Sequence, residues 1–328
     1  MTVKSLREVQ FGDQVAWGTS VAPTKFFPGV RGVSMPPSIV NEIVTDVGRG
    51  TQGPGRNTVK LRHESRGMSL TGQMVYEFLP HILDGADEAA PAGIGPYTYL
   101  YTGPTTGVAV PHWQTLTAGA GDGVWALNTA TLESLTLTWA WGEMVEMTAN
   151  FLGHSVEDDA LAVLVEPDMA AATAATGCHV TVSVDAFGGA YGTTPMTKCL
   201  SGSVTLSLNR DYLPYVGSCF PAGTYDKNAW IVTGDLSLQQ DATSAAFVDA
   251  IVLASTRKKI NILMTNGGAA AALRSLDMDI FAEVMVNELH TDADDLVTSD
   301  ISFTSVQDED DTDFYFAATV TNNTATIY

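Results

Sequence analysis

Alternating apolar and polar residues dominate the chain and predict a fold built mainly from β-strands. Residues 131–140 and 144–152 alternate over their whole lengths, and Trp141-Gly142-Glu143 between them has the character of a turn. Residues 39–47 and 59–62 are the predicted arms of a second hairpin. Further strands are predicted over residues 179–184, 202–208, 231–238, 259–264, 276–286, 300–306 and 314–320.

One short pattern occurs twice, about half the chain length apart. Leu70-Thr71-Gly72 lies in an alternating segment that is followed by a helix-like apolar stretch over residues 76–84. Val232-Thr233-Gly234 lies in another, followed by a helix-like stretch over residues 244–254. The two Thr-Gly pairs are 162 positions apart in a chain of 328 residues. A repeated β-unit with one helix predicts assembly from similar modules rather than a single catalytic cleft.

The repetition predicts two domains joined by a linker. Residues 1–158 form the predicted first module, with an N-terminal arm and a long basic Gly-rich loop at residues 48–56. Residues 159–177 are acidic and then rich in Ala and Thr, which is the composition of a linker, and residues 178–328 form the second module. A chain of this length buries enough surface to fold without disulfides or metals.

Charge is scarce in this chain and unevenly distributed. Charged residues make up 16% of it, against an average of about 25%, so neighbouring subunits are expected to cover part of the surface. The net charge of −21 argues against binding nucleic acid by phosphate neutralisation. Residues 1–66 hold nine basic and five acidic side chains, whereas the rest of the chain holds seven basic and 32 acidic side chains. A basic arm on an acidic body is suited to attach to the next copy of that body.

No segment carries a convincing catalytic or metal-binding motif. The letters of Gly48-x-Gly50-x-x-Gly53 match a dinucleotide fingerprint, but Pro54 and Gly55 follow where a helix must begin. The acidic runs at residues 292–295 and 308–313 lack the turn Gly and the closing Glu of a calcium loop. We therefore predict no enzyme activity, no cofactor and no metal site. Free thiols are expected at Cys178, Cys199 and Cys219.

The N-terminal region contains a distinctive segment. Gly18-Thr19 is followed by a short spacer and by Ala22-Pro23-Thr24-Lys25-Phe26-Phe27-Pro28. This order resembles the opening of the tail tube (major tail) proteins of long-tailed bacteriophages. Arg66-Gly67-Met68-Ser69-Leu70-Thr71-Gly72 partly resembles a later strand of that family, with the Arg-to-Gly spacing altered. The resemblance is best over residues 10–90 and general over the rest.

The resemblance implies both a fold and a function. The implied fold is mainly β, with two tandem β-sandwich or half-barrel tail-tube modules, each flanked by one α-helix. The implied function is structural: copies of the chain close into rings, and the rings stack into the tail tube through which DNA is ejected. An acidic or neutral lumen suits that task, because phosphates then meet repulsion everywhere and slide. The expected location is the virion tail, after synthesis in the host bacterial cytoplasm, with other tail proteins as partners and no membrane.

Two sets of residues are predicted to serve this assembly. The first set, basic residues in or near the Gly-rich loop, is predicted to contact neighbouring subunits or rings: Arg49, Arg56, Lys60, Arg62 and Arg66. The second set, acids in paired strands, is predicted to line the lumen: Glu133, Glu143, Glu146, Asp277, Asp279 and Glu283. Two modules per chain favour rings of three chains with six similar modules. Rings of six chains are the alternative.

Two other functions fit parts of the sequence. One is a different β-rich virion protein, such as a head–tail connector or a capsid-decoration protein. The other is a carbohydrate-binding or glycan-cleaving β-sandwich, with tryptophans as sugar platforms: Trp17, Trp113, Trp125, Trp139, Trp141 and Trp230. Neither function explains the internal repetition together with the N-terminal segment.

Overall fold

The fold of the chain is seen in a computed structural model. The structure describes residues 8–27, 29–35, 39–44, 57–63, 67–93, 95–105, 109–120, 123–164, 173–218, 220–240, 242–253, 256–268, 272–293, 296–308 and 314–323. Antiparallel strands make up most of its regular structure, which confirms the predicted mainly β fold.

The first half of the chain contributes eleven of the described strands and one short helix, α1 (Leu79–Leu83). The strands are β1 (Glu8–Gln14), β2 (Lys25–Phe26), β3 (Val30–Ser34), β4 (Ile39–Val44), β5 (Asn57–His63), β6 (Met68–Gln73), β7 (Tyr97–Thr102), β8 (Trp113–Ala120), β9 (Gly123–Ala140), β10 (Glu146–Leu152) and β11 (Ser155–Asp158). The helix is shorter than the predicted range of 76–84, because the chain turns before Leu79 and Pro80 fixes the first helical turn.

The second half contributes nine of the described strands and the helix α2 (Ala242–Leu253), which confirms the helix predicted over 244–254. The strands are β12 (Val180–Ala186), β13 (Cys199–Ser207), β14 (Arg210–Leu213), β15 (Gly223–Asp226), β16 (Ile231–Gln239), β17 (Thr256–Thr265), β18 (Ser275–Ala293), β19 (Leu296–Ser305) and β20 (Phe316–Asn322). β18 continues well beyond the predicted range of 276–286.

Two long strands, β9 and β18, each belong to two layers. The first part of β9 pairs with β8 and β11, and its second part pairs with β10 and β13. Thr129, whose φ is +53°, lies where β9 changes partners. The first part of β18 pairs with β17 and β20, and its second part pairs with β19. Each long strand therefore crosses from one layer to the other.

One layer runs through both halves of the chain in the order β3, β6, β10, β9, β13, β16, β19, β18. We call it the joined layer. Its two halves meet where residues 134–140 of β9 pair with residues 201–207 of β13. The opposite layer of the second half has the order β12, β17, β18, β20, β7, so that a strand of the first half completes it. The halves are thus connected by strand pairing at two places.

The main core lies between the joined layer and the opposite layer. Part of it is formed by apolar side chains from α1, β9, β13, β16, β18 and β20. These side chains come from both halves: Leu79, Leu83, Leu135, Leu137, Val204, Leu206, Val232, Leu276, Met278, Phe316 and Ala318. A shared core of this kind stabilises the two halves together.

The two halves follow the same order of strand pairing. In the first half β1 pairs with β8, β3 with β6, β6 with β10 and β10 with β9. In the second half β12 pairs with β17, β13 with β16, β16 with β19 and β19 with β18. A separate hairpin precedes β6 and β16, formed by β4 with β5 and by β14 with β15. A helix follows β6 and β16 in both halves.

The two Thr-Gly pairs occupy matching positions in this order. Gly72 of β6 lies opposite Met147 of β10, and Gly234 of β16 lies opposite Phe303 of β19. A Cβ atom at Gly72 would collide with the backbone carbonyl of Gly29, and one at Gly234 with the Phe303 ring. The repeated Thr-Gly pattern therefore has a steric cause at both positions.

Candidate functional site

The strands of the joined layer alternate between core residues and hydroxyl residues. In β9, Leu135 and Leu137 are buried against the core, whereas Thr136 and Thr138 point the other way. The same alternation continues across the layer, because cross-strand neighbours share a face. We call the side of the joined layer that faces away from the core the hydroxyl face.

Six threonines from six neighbouring strands form one row across the hydroxyl face. Their cross-strand order is Thr71, Thr148, Thr136, Thr205, Thr233 and Thr304. Neighbouring strands are about 4.8 Å apart, so the row spans about 24 Å. At its end Thr304 lies opposite Glu283 of β18. We call this line of side chains the threonine row.

A second row beside it adds acids to the hydroxyl face. Its cross-strand order is Gln73, Glu146, Thr138, Ser203, Asp235, Ser302 and Met285. Asp300 and Glu288 line a shallow open groove beyond this row.

Arg31 is the single Arg or Lys in the sequences of the strand segments that build the joined layer. Its guanidinium lies 3.7 Å from Glu146, and both side chains are more than half exposed, so the pair is weak. The face is therefore neutral to acidic.

Three of the predicted lumen acids lie on the hydroxyl face or at its rim. Glu146 of β10 and Glu283 of β18 are exposed on the face. Glu143 is exposed in the turn between β9 and β10. Glu133 lies where the pairing of β9 with β10 shifts register, and burial followed by the charge of Asp211 raises the pKa of its carboxyl group.

Asp277 and Asp279 lie on a different surface. They are in the first part of β18 and point outward from the opposite layer, on the far side of the core. The Asn261 side-chain amide donates hydrogen bonds to both carboxylates, at 2.9 Å to Asp279. Burial raises the pKa of Asp279, and the charge of Asp277 adds to this rise. Asp277 and Asp279 therefore lie on a different surface from Glu283, because β18 changes layer between Asp279 and Glu283.

The predicted basic contacts lie largely outside the described residues. Arg49, Arg56 and Arg66 are outside them. Lys60 and Arg62 are in β5, whose backbone pairs with β4, with Lys60 opposite Asn41. The predicted hairpin around the Gly-rich loop is confirmed in its two strands.

A buried arginine, which the sequence pattern did not single out, joins the two halves. The Arg210 guanidinium lies 2.8 Å from Asp226 at the base of the β14–β15 hairpin. It also donates hydrogen bonds to the carbonyl groups of Gly85 and Ala86, just after α1, and to Leu132 of β9 at 3.3 Å. A cation beside the carbonyl groups at a helix end is favourable. Arg210 therefore fixes the second-half hairpin onto the first half.

Other candidate chemistry is sparse in the part of the chain that the structure describes. Its His, Cys, Asp and Glu side chains form no group of three or more that could hold a metal ion. Cys178 and Cys199 are free thiols, and burial raises the pKa of Cys199 to about 11. Two of the six candidate sugar platforms, Trp139 and Trp230, are buried. None of the described helices has the length and apolar character needed to cross a membrane.

Comparison with known proteins agrees with the resemblance at the N-terminus. The sequence profile of one family, described as phage tail tube protein, matches residues 5–305, which is nearly the whole chain. No curated protein matches the sequence. Tail tube proteins are structural components of the virion tail, where they assemble with copies of themselves and with other tail proteins. This chain belongs to the phage tail tube protein family.

Proposed function

We propose that the chain assembles into rings that stack into a hollow tube for DNA ejection, with the hydroxyl face lining the lumen. The observation that carries this proposal is the continuous joined layer with its threonine row and a single Arg or Lys, Arg31, in its strands. DNA is held by proteins mainly through cations that neutralise its phosphates. A face of hydroxyl groups with acids such as Glu146 and Asp235 offers hydration and holds only one such cation, Arg31, which lies beside Glu146, so DNA can pass along it.

Three chains per ring fit the size of the joined layer best. The layer has eight strands in one chain, so three chains bring 24 strands. At about 4.8 Å per strand, an untilted barrel of this size is about 37 Å across between backbones. Two chains would give about 24 Å, which leaves too little room for a duplex between two layers of side chains, and six would give about 73 Å. The shared pairing order of the two halves supports tandem modules, so that three chains present six similar units.

The basic residues near the Gly-rich loop remain our candidates for contacts between subunits or rings. Arg49, Arg56, Lys60, Arg62 and Arg66 belong to the hairpin region that precedes β6. The rest of the chain is strongly acidic, so these cations have complementary surface on a neighbouring copy.

Electron microscopy of the purified chain in negative stain tests the proposed assembly. The expected result is uniform hollow tubes that lengthen with protein concentration. Single copies at every concentration would contradict the proposal, and closed rings that never stack would favour a connector protein.

A labelling experiment tests the lumen separately. Ser203→Cys places a thiol on the hydroxyl face and Asp158→Cys places a matched thiol on β11, in a chain whose own cysteines are replaced. A bulky polymer maleimide should label both thiols in free chains. In tubes it should label Asp158→Cys at least tenfold faster than Ser203→Cys. Equal labelling of the two variants in tubes would contradict the proposal that the hydroxyl face lines the lumen.

A further inference from the structure

The cross-strand register repeats itself along the joined layer. Starting at β3, one column of opposed residues runs through Val30, Gly72, Met147 and Leu137. The column continues after the junction between the halves through Val204, Gly234, Phe303 and Val284. These are two repeats of the same four strand positions, joined where Leu137 lies opposite Val204.

This repetition indicates which strand of a second copy would extend the joined layer beyond β18. Val284 holds the position in the second half that Leu137 holds in the first, and Val30 matches Val204. One more junction of the same kind would place β3 of a second copy beside β18, with Val30 opposite Val284. Among the described strands β3 pairs with β6 alone, so its other edge has backbone groups available for pairing.

The edge of β18 that this junction needs is occupied by β17. In the first half, β8 ends opposite Ala130, and the same edge of β9 then pairs with β13 from residue 134 onward. In the second half, β17 continues until Thr256 lies opposite Val284. Val284 matches Leu137, whereas the pairing of β8 stops at Ala130. The pairing of β17 with β18 therefore extends seven positions further than the pairing of β8 with β9. Residues 256–259 therefore cover residues 281–284.

We propose that ring closure is a strand exchange, in which residues 256–259 leave β18 and β3 of a second copy takes their place. This rests on the proposed assembly into rings. An open strand edge pairs indiscriminately with other edges, so the cover keeps free chains from associating in wrong registers. The charges are compatible with the exchange. Arg257 lies opposite Glu283 in the single chain. After the exchange Gly32 of the incoming β3, which matches Thr205, would lie opposite Glu283, and Arg31 would lie beside it.

A reversible cross-link between β17 and β18 tests the exchange. Arg257→Cys with Glu283→Cys joins an opposed pair within the covered edge, in a cysteine-free chain. Thr265→Cys with Ser275→Cys joins the same two strands at their other end and is the matched control. When oxidised, the first variant should form at least tenfold fewer tubes than when reduced, whereas the control should form tubes in both states.

The outcomes separate this proposal from the proposed function. Normal tubes from the oxidised Arg257→Cys/Glu283→Cys variant would overturn the exchange while leaving tube formation intact. Absence of tubes from the unmodified chain would instead overturn the proposed assembly.

Hydrogen exchange on the unmodified chain gives a second measurement, which needs no variant to fold. On assembly, the amides of residues 30–34 should exchange at least tenfold more slowly and those of residues 256–259 faster. Unchanged rates in both segments would overturn the exchange.

Discussion

The hydroxyl oxygens of Thr136 and Thr205 lie 3.0 Å apart across the junction between β9 and β13. Thr136 belongs to the first half of the chain and Thr205 to the second, so the two polar surfaces meet in direct contact. Opposed threonines on one face of an antiparallel pair favour that register. The contact therefore aligns the two halves so that the threonine row continues without a step.

Reversing charge on the hydroxyl face should make assembled tubes retain DNA. Glu146→Lys with Asp235→Lys puts two cations on the face, and Asp158→Lys with Asp249→Lys makes the same net change on exposed positions elsewhere. Co-sedimentation of short duplexes with tubes should rise at least tenfold for the first variant at low salt and fall steeply as salt is added. Equal retention by the two variants would contradict the lumen assignment.

Loss of Arg210 should destabilise the chain strongly. Arg210→Ala removes the hydrogen bonds that the guanidinium donates to the Asp226 carboxylate and to three backbone carbonyls, in a site where the Arg210 side chain is 2% exposed. Breaking a buried pair of this kind costs about 3–5 kcal/mol of unfolding free energy. Denaturant unfolding of the free chain measures the change. Lys227→Ala, which breaks the exposed pair with Asp211, is the control and should leave the midpoint almost unchanged.

Alanine at either glycine of the repeated pattern should destabilise the chain by similar amounts. A Cβ at Gly72 would lie 2.9 Å from the Val30 Cα, and one at Gly234 would collide with the Phe303 ring and the Ser203 carbonyl. Overpacking of this kind costs about 1–3 kcal/mol. Gly188→Ala, where the new methyl group meets nothing within 4 Å, is the control. Thermal unfolding compares the three variants, and a stability of Gly72→Ala equal to that of the control would contradict the steric explanation.

Mild acid should weaken the free chain through His81. Burial lowers the pKa of His81 well below its usual value, with the charges of Lys25 and His112 adding to the effect. Below the ordinary histidine pKa, the unfolded chain therefore binds a proton at His81 that the folded chain does not bind. The free energy of unfolding is unaffected by this group above about pH 6.5, the pKa of His81 in the unfolded chain. It declines as the pH falls below that value. Unfolding at pH 7.5 and 5.5 should show a smaller loss for His81→Leu than for the unmodified chain. His179→Leu, which removes an exposed histidine, is the control for the loss of a histidine side chain.

Local patterns in the sequence were sufficient for much of the fold. The alternation over residues 131–140 marks the second part of β9, and the Thr-Gly pairs mark β6 and β16, each followed by a helix. The strand alternation depends on neighbours along the chain, namely on the two-residue period of a strand. The Thr-Gly pairs were visible because the pattern occurs twice, although the contacts that require glycine come from residues distant in the chain, such as Phe303. The Leu-Thr alternation of β9 also contained the signal for the hydroxyl face, although the prediction followed the acids instead.

Features that depend on distant residues could not be predicted. Asp279 and Glu283 are four positions apart on one strand, and a two-residue period assigns them to one face. They lie on different surfaces because β18 crosses between layers, and that crossing is set by its partners β19 and β20. Arg210 likewise has no local signal, since its carbonyl partners lie 78 to 125 positions earlier in the chain.

The pairing of β7 with β20 bears on how the subunit is made. Leu100 lies opposite Thr319, 219 positions later, so this border of the sandwich stays incomplete until the ribosome has delivered nearly all of the described sequence. Nascent chains consequently lack a finished opposite layer throughout most of translation. Folding of the complete sandwich therefore follows synthesis of the β20 segment, near the end of the described sequence.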